Sequence, residues 1–562
     1  MEGPSASAIP EDSFGIDGKF FEGPGFENLV ASLQLPQKIR VVEEKNTMFR
    51  VMATLRANPI NGHQSHIFQT YFGFLSIEFF LRTILVGVLS RLEMLDCFIM
   101  LATFDTDKII TRSMAEVVAY ELRSTMSPDG HGIDPLGGIA LPLYQQGVLL
   151  PEIGGVKPED LKFLFDLVWN DRKGFTQVLA SDPHFTHGWS SIFCLIFKVF
   201  EKEKAFTTGE KWGQLWYLLY RYRLFAPCVE ETLAQVLCSE IETRTRFREF
   251  PDVEWADRPT DKEDVRTVVR GYIRKMVGSG NNFSSRMTPI QLMRVPYEAM
   301  SDMADYELGA ECARATLSQA WVDAAALTVH SADIKYAVDS LEMHVCQIIK
   351  HFKRLLEANA NHMSRAQRLC LLEVLDSGGF FALIGRALLG HATYFTATIR
   401  VDYGSSRVWR DLVNEVKSLA SLFKARYPTH DLHRLLRPSH YDIQKTSRQN
   451  RLILALSSPT SHLYKFARDS KLVLDDLISA LGIRTEAFDL RPDLDMVECH
   501  SNRCPAADEG PASVWKKPLV CVGCRAVEYC SRDCQNRDWR VGCPSPHCME
   551  CEFLAEFGVP FC

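Results

Sequence analysis

The chain has 562 residues, of which 46% are hydrophobic and 24% are charged, and its net charge is -7. This composition excludes a largely disordered chain, and the length excludes a single hydrophobic core, so we expect roughly two to four domains. The negative charge argues against a molecule that attracts nucleic acid over its whole surface.

The first segment, residues 1–38, is rich in Gly, Pro and Ser and is predicted to be a poorly ordered arm. It carries Glu2, Glu11 and Asp12 where a signal peptide would carry cations before an apolar run. We therefore expect an intracellular protein of the nucleus or cytoplasm. Thiols stay reduced there, so close cysteine pairs are interpreted as metal ligands before disulfides.

The most apolar stretch of the sequence is residues 67–104. Charged side chains such as Glu78, Arg91 and Asp96 interrupt it, and no uncharged run reaches the roughly 20 residues that a membrane-spanning helix needs. We interpret the stretch as two buried helices and expect no membrane partner.

Residues 39–490 form a predicted α-helical body, because apolar positions recur every three or four residues. Helix–turn–helix patterns cover 158–180, 212–238 and 366–389, with predicted breaks at residues 170–174, at Pro227 and at residues 377–379. Antiparallel helix pairs in series are typical of solenoids, and the spacing of the first two patterns suggests an armadillo-like body. The alternative is an irregular helical domain without repeats.

Glycine- and proline-rich stretches predict where the chain divides. Segments 127–138 and 277–289 are candidate boundaries inside the body, and residues 484–495 are predicted to link the body to a cysteine-rich module. The module spans residues 496–552, and a tail of residues 553–562 follows.

Ten of the seventeen cysteines lie in the last tenth of the chain. They are Cys499, Cys504, Cys521, Cys524, Cys530, Cys534, Cys543, Cys548, Cys551 and Cys562. Close pairs separated by longer loops match the requirements of tetrahedral zinc coordination. Cys521 and Cys524 can share one tight turn through Gly523, and Cys530 and Cys534 can face the same way on a short helix.

The string from Cys521 to Trp539 adds residue identities to this spacing. A Cys-x-x-Cys pair is followed by Tyr-Cys-Ser-x-x-Cys-Gln-x-x-Asp-Trp. This run resembles the MYND-type zinc finger, and the resemblance covers Cys499 to Cys551, under a tenth of the chain. It implies a small domain with two zinc ions bound in interleaved order.

The resemblance also implies a ligand set. One ion would take Cys499, Cys504, Cys530 and Cys534, and the other would take Cys521, Cys524 and two later ligands. The first pair is wider than the usual Cys-x-x-Cys of the family, which leaves coordination intact because loops between ligands vary.

The two later ligands depart from the family pattern of a His followed by a Cys. One reading exchanges their order and uses Cys543 and His547, since zinc accepts both residue types. The other keeps the order with His547 and Cys551 and treats residues 542–546 as an insertion, because its prolines disfavour a continuous helix. His547 belongs to both readings, we favour Cys543 over Cys551, and Cys548 is a third candidate.

Four protein ligands per ion would leave no open position for water, so both sites are predicted to be structural and not catalytic. Between Cys499 and Cys551 there are seven Lys or Arg and six Asp or Glu, which gives no phosphate-binding footprint. The resemblance implies instead a surface that docks a proline-containing peptide, with Gln535 and Trp539 at its groove. The alternative is that Trp539 packs the small core of the module.

Some members of the family are SET-type methyltransferases, which makes an enzyme hidden in the helical body the competing hypothesis. No cofactor motif of that kind occurs, and Gly278-Ser279-Gly280 lacks the third glycine of a dinucleotide loop. We therefore expect a non-enzymatic scaffold or adaptor for protein–protein interaction, with an α-helical body and two structural zinc ions.

Overall fold

The computed structural model describes most of the helical body and part of the cysteine-rich module. The described residues are 68, 77, 81, 85, 107–126, 158–181, 185–202, 209–247, 261–278, 292–301, 306–330, 334–358, 364–394, 407–436, 439, 443, 446, 447, 450, 451, 453, 454, 457–483, 519–522, 528, 529 and 531–541. The predicted arm, the 127–138 boundary, the 484–495 linker and the C-terminal tail lie outside them. The fold is mainly α, as the sequence predicts.

The chain divides into two compact units. Unit 1 comprises residues 1–271 and 281–286, and unit 2 comprises residues 272–280 and 287–562. The division falls beside the boundary that the sequence suggests at 277–289, whose residues beyond 278 lie outside the described part.

Unit 1 is built from helices of ten to twenty residues. They are α1 (Asp107–Met126), α2 (Pro158–Asn170), α3 (Arg172–Ser181), α4 (Trp189–Lys202), α5 (Gly209–Arg223), α6 (Cys228–Phe247) and the first part of α7 (Lys262–Gly278). Helix α4 packs against α1, α2, α5 and α6, which makes it the centre of the unit. Such a helix must be apolar on most of its surface, and nearly every residue from Trp189 to Phe200 is buried.

Aromatic rings fill the core beside the start of α4. The ring centroids of Phe175 and Trp189 are 4.7 Å apart, those of Phe185 and Trp189 are 5.6 Å apart, and Phe68 lies 5.5 Å from Phe175. Each fully buried aromatic side chain of this kind contributes about 1.5–3 kcal/mol. Phe68 belongs to the apolar stretch 67–104, as do Ile77, Leu81 and Leu85.

Ile77, Leu81 and Leu85 are helical, four positions apart and buried, as expected for a helix facing the core. Most of the stretch lies outside the described residues. In the part of the chain that the structure describes, every helix is too short or too polar to cross a membrane.

The break between α2 and α3 differs in detail from the prediction. Gly174 was expected to end a helix, but it lies inside α3, and Asp171 alone separates the two helices. An Asp171 carboxylate oxygen accepts a hydrogen bond from the Gly174 amide at 3.2 Å and so caps α3. A Cβ at Gly174 would lie only 2.6 Å from that carboxylate, which explains why glycine occupies the position.

The predicted break at Pro227 is confirmed, because α5 ends at Arg223 and α6 begins at Cys228. The break at residues 377–379 is confirmed as well and separates two helices of unit 2. Gly379 adopts φ 71°, a left-handed conformation that suits glycine, whereas Gly378 has φ -77°.

Unit 2 contains the longest helices. They are α8 (Arg294–Ser301), α9 (Tyr306–His330), α10 (Ile334–Ala358), α11 (Arg365–Ser377), α12 (Phe380–Tyr394), α13 (Arg407–Arg426), α14 (Thr429–Leu435) and α15 (His462–Leu481). Helices α8, α10, α13 and α15 pack side by side in that order, and α9, α11 and α14 form a second row.

Helix α12 lies against α10, α11 and α15. Serial stacking of this kind is the packing of a helical solenoid. Helices α10, α13 and α15 begin at residues 334, 407 and 462, so their spacing is unequal. A regular armadillo-like repeat therefore stays a prediction.

A continuous line of rings marks the core of unit 2. Tyr297 of α8 lies 5.6 Å from Phe352 of α10, which lies 5.2 Å from Phe380 of α12. Phe381 continues the line to Phe423 of α13 at 6.1 Å. Buried aromatic contacts thus join successive members of the stack.

The described part of the cysteine-rich module is a small hairpin and a helix. Strand β1 (Leu519–Val520) pairs with β2 (Glu528–Tyr529) in antiparallel fashion, and helix α16 (Arg532–Val541) packs against β2. These short elements position four of the residues that the sequence singles out.

Candidate metal centre

The structure describes two of the nine predicted zinc ligands and both predicted peptide-binding residues. Cys521 directly follows β1, and Cys534, Gln535 and Trp539 lie on α16. The remaining predicted ligands, Cys499, Cys504, Cys524, Cys530, Cys543, His547 and Cys551, lie outside the described residues, as does Cys548.

The hairpin register determines which residues of the module lie inside. Leu519 lies opposite Tyr529, and Val520 lies opposite Glu528. Tyr529 is fully buried, and Cys521 is buried at the point where the chain leaves β1. A hairpin of two-residue strands is not stable alone, so burial here requires further cross-links or packing.

Ser531 determines where α16 begins. Its hydroxyl accepts a hydrogen bond from the Cys534 amide at 3.2 Å, and its carbonyl accepts one from the Gln535 amide at 3.1 Å. This is an N-cap, which places Cys534 in the first turn, where the helix dipole stabilises a negative charge such as a thiolate. Ser531, three residues before the buried Cys534, is an N-cap signal that is absent from the sequence predictions above.

The expectation that Cys530 and Cys534 share a helix needs correction. Helix α16 begins at Arg532, because Ser531 is its cap, so only Cys534 of the pair belongs to it. Cys530 precedes the cap and lies outside the described residues.

The chemistry of the two described thiols fits a zinc site. Cys521 and Cys534 are each only 3% exposed, the first directly after the apolar strand β1 and the second on the largely polar helix α16. Thiolates are preferred zinc ligands, and a protein-enclosed thiolate is typical of structural zinc. Among the described residues no three His, Cys, Asp or Glu side chains come together as a metal site, and only two of the predicted ligands are among them.

The residue after Cys534 belongs to a different, accessible surface of helix α16. Gln535 is half-buried and Trp539 is 39% exposed, and the four-residue spacing puts them on one face. Leu519 is 38% exposed and Val522 is 87% exposed, so the hairpin also presents apolar side chains. Trp539 is therefore partly accessible, and its packing in the core of the module stays the alternative prediction.

The helical body contains a second group of converging polar side chains, around Glu230 of α6. This fully buried carboxylate accepts hydrogen bonds from the Gly188 amide at 2.9 and 3.0 Å, from the Ser190 hydroxyl at 2.9 Å and from the Tyr222 hydroxyl at 2.6 Å. His187 Nδ1 lies 3.5 Å from the same carboxylate.

The Glu230 cluster caps a helix. Gly188 and Ser190 lie at the start of α4, where backbone amides lack partners within the helix, and a carboxylate satisfies them. Ser190 and His187 both contact Glu230, and Ser190 is fully buried, so the serine has neither a histidine base nor access for a substrate. Burial and the neighbouring carboxylate raise the pKa of Tyr222 well above its ordinary value.

A buried ion pair connects α5 and α7 within unit 1. The two terminal guanidinium nitrogens of Arg221, Nη1 and Nη2, each lie 2.7 Å from an oxygen of the Asp264 carboxylate. The Thr176 and Tyr217 hydroxyl oxygens accept further hydrogen bonds from Arg221. Both charged side chains are fully buried. Apart from Arg221 Nε, which has no hydrogen-bond partner among the described residues, the groups satisfy one another, as is typical of a structural pair.

No family model, no curated protein and no solved structure matches this chain. The likeness to MYND fingers therefore depends on the motif from Cys521 to Trp539 and on the chemistry of the residues that carry it.

Proposed function

We propose that this chain is a non-enzymatic protein-interaction scaffold with a C-terminal MYND-type zinc finger. The finger holds two structural zinc ions and docks a proline-containing peptide of a partner protein. The observation that carries the proposal is the arrangement of α16, where Cys534 is buried and Gln535 and Trp539 lie on the accessible side.

In this proposal the zinc ligands are Cys499, Cys504, Cys530 and Cys534 for one ion, and Cys521, Cys524, His547 and either Cys543 or Cys551 for the other. Zinc supplies the folding free energy that so short a segment cannot obtain from a hydrophobic core. The bound ions would hold the hairpin and α16 together and leave the exposed surface to perform the binding.

The peptide surface is proposed from side-chain chemistry. A partly exposed indole offers a flat apolar face and an N–H donor, and the neighbouring Gln535 amide can bond a peptide backbone. A proline-rich segment is already extended and loses little entropy on docking, which suits a small surface. The nearly balanced charge of the module supports a peptide and not a nucleic acid as its partner.

The helical body would act as the scaffold, and an armadillo-like arrangement of its helices is part of the proposal. Support comes from the serial stacking of α8, α10, α13 and α15, which creates an extended surface. The two buried polar clusters of unit 1 have structural explanations, which favours this function over a hidden methyltransferase or other enzyme.

The test uses the full chain and a fluorescein-labelled twelve-residue Gly/Ser peptide that carries three prolines. We expect anisotropy to report binding that Trp539→Ala weakens at least tenfold, while a peptide with alanine in place of proline binds poorly. The matched control is Leu472→Ala, since Leu472 is an apolar residue of the body that is 52% exposed. Equal binding by the Trp539→Ala variant and the parent chain would contradict the proposed peptide surface.

A further inference from the structure

Two neighbouring helices of unit 2 carry an excess of positive charge on an acidic protein. Helices α10 and α13 pack against each other, and their accessible ionisable side chains are mostly basic. The accessible cations are Lys350, Lys353, Arg354, Arg407, Arg410, Lys417, Lys424 and Arg426, and we define the basic face by the three of them that line one side of α13, which are Arg410, Lys417 and Lys424. The accessible carboxylates on the same two helices are Asp339, Glu357, Asp411 and Glu415.

The next helix of the row does not share this imbalance. On α15 the accessible cations are Lys465, Arg468 and Lys471, and the accessible anions are Asp469, Asp475 and Asp476. Arg468 lies 3.4 Å from Asp469, and Lys471 lies 2.8 Å from Asp475, so charges on α15 are paired along the helix. The positive excess is therefore a local property of α10 and α13.

On α13 the cations form an ordered line. Arg410, Lys417 and Lys424 are exposed and seven residues apart, which places them on one side of the helix about 10.5 Å from one another. None of the three makes an ion pair with another described residue, whereas Lys353 of α10 bonds Glu415 at 2.8 Å. The line is thus open to an external carboxylate.

Helix stability does not explain all of these cations. Lys424 lies in the last turn of α13, where a cation favours the helix dipole. Arg407 and Arg410 lie within the first four residues, where the same dipole disfavours a cation.

We propose that the basic face of α13 is a docking surface for an acidic protein segment. A segment in the polyproline-II conformation rises about 3.1 Å per residue with three residues per turn, so acidic residues at every third position lie on one side about 9.3 Å apart, close to the spacing of Arg410, Lys417 and Lys424. The interspersed carboxylates Asp411 and Glu415 would repel the continuous phosphates of a nucleic acid but leave room for separate side-chain carboxylates. This surface is separate from the proposed peptide surface of the finger.

The experiment measures binding of three fluorescein-labelled probes to the full chain. The probes are a twelve-residue Gly/Ser peptide with glutamate at every third position, the same peptide with glutamine instead, and a twelve-nucleotide single-stranded DNA. We expect the glutamate peptide alone to bind at 50 mM salt and its binding to weaken at least tenfold at 300 mM, because exposed charges are screened.

The variant is Arg410→Gln, Lys417→Gln and Lys424→Gln, which removes the line of charge without placing new carboxylates beside Asp411. The matched control, Lys262→Gln, Arg266→Gln and Arg270→Gln, removes three exposed cations of α7. We expect the α13 variant to bind the glutamate peptide at least tenfold more weakly and the α7 variant to stay within twofold of the parent.

Three outcomes would overturn the proposal. These are no binding of the glutamate peptide at 50 mM salt, equal weakening by the α7 variant, and DNA binding as tight as peptide binding that the α13 variant abolishes. The last result would make the face a nucleic-acid surface. Circular dichroism of each variant keeps the result interpretable, and a smaller set, Lys417→Gln with Lys424→Gln, provides a second measurement if the first variant is poorly folded.

Discussion

Replacing Glu230 with alanine should destabilise unit 1 by about 4 kcal/mol. The carboxylate accepts hydrogen bonds from the Gly188 and Ser190 amides and from the Ser190 and Tyr222 hydroxyls. A hydroxyl can rotate, and the Tyr222 hydroxyl also lies 2.9 Å from the Thr186 carbonyl oxygen. The two amides cannot turn away, and each buried unsatisfied donor costs about 1–3 kcal/mol.

Urea unfolding of the full chain, followed by tryptophan fluorescence and circular dichroism, measures this loss. In thermal unfolding it corresponds to a decrease of roughly 8–16 °C in the midpoint of a unit of this size. Glu263→Ala is the matched control, because Glu263 is 67% exposed and its pairing with Lys173 is worth at most about 1 kcal/mol.

A double-mutant cycle with Tyr222→Phe isolates one hydrogen bond of this cap. We expect a coupling free energy of about 1.5 kcal/mol between Tyr222 and Glu230, as for a hydrogen bond to a charged group. The reasoning would be refuted by a Glu230→Ala loss no larger than that of Glu263→Ala, or by a coupling energy near zero.

Three further predictions concern unit 2. Burial raises the pKa of Asp323 to about 6, so the folded chain holds a proton that the unfolded chain releases near pH 4. Stability should fall as pH rises through 4–6, and Asp323→Asn should remove that slope and add about 2–3 kcal/mol at pH 7 in urea unfolding. Burial, with nearby cations, lowers the pKa of His351 to about 3, so stability should be lost as pH falls from 6.5 towards 3. The His351→Leu variant should lose less stability over that range. If the parent chain and the variant lose stability in parallel as the pH falls, the assignment to His351 would be wrong. Gly379→Ala should cost about 1–2 kcal/mol, because φ is 71° and a Cβ would lie 3.0 Å from Trp321 Nε1. Gly309→Ala, which meets only ordinary contacts in α9, is its control and should not lower the thermal midpoint.

The sequence predicts local features of this fold well. Pro227 and the Ser377–Gly379 stretch separate helices as expected, since proline and left-handed glycine act within a few residues of the chain. Gly174 shows the limit of the same reasoning. Its role depends on the Asp171 carboxylate, which takes over the helix cap and occupies the space where a side chain would lie.

Long-range polar contacts could not be predicted in this way. Glu230 looks like an ordinary acidic residue in the first turn of a helix, yet two of its partners, Gly188 and Ser190, lie about forty residues earlier at the start of another helix. In the module, the spacing predicts Cys521 and Cys534 as zinc ligands; both are buried, and their coordination of zinc stays a prediction. Helix α16 begins at Arg532 because the Ser531 hydroxyl caps it. The prediction that Cys530 and Cys534 face the same way on one short helix was therefore wrong.

The zinc content of the full chain tests the central claim most directly. Elemental analysis of the purified protein should give two zinc ions per chain, and Cys521→Ser and Cys534→Ser should each lower that number. Cys370→Ser is the control, because Cys370 is a half-buried thiol of the body. A zinc-free chain with a folded C-terminal module, or zinc content that both Cys521→Ser and Cys534→Ser leave unchanged, would contradict a structural zinc finger.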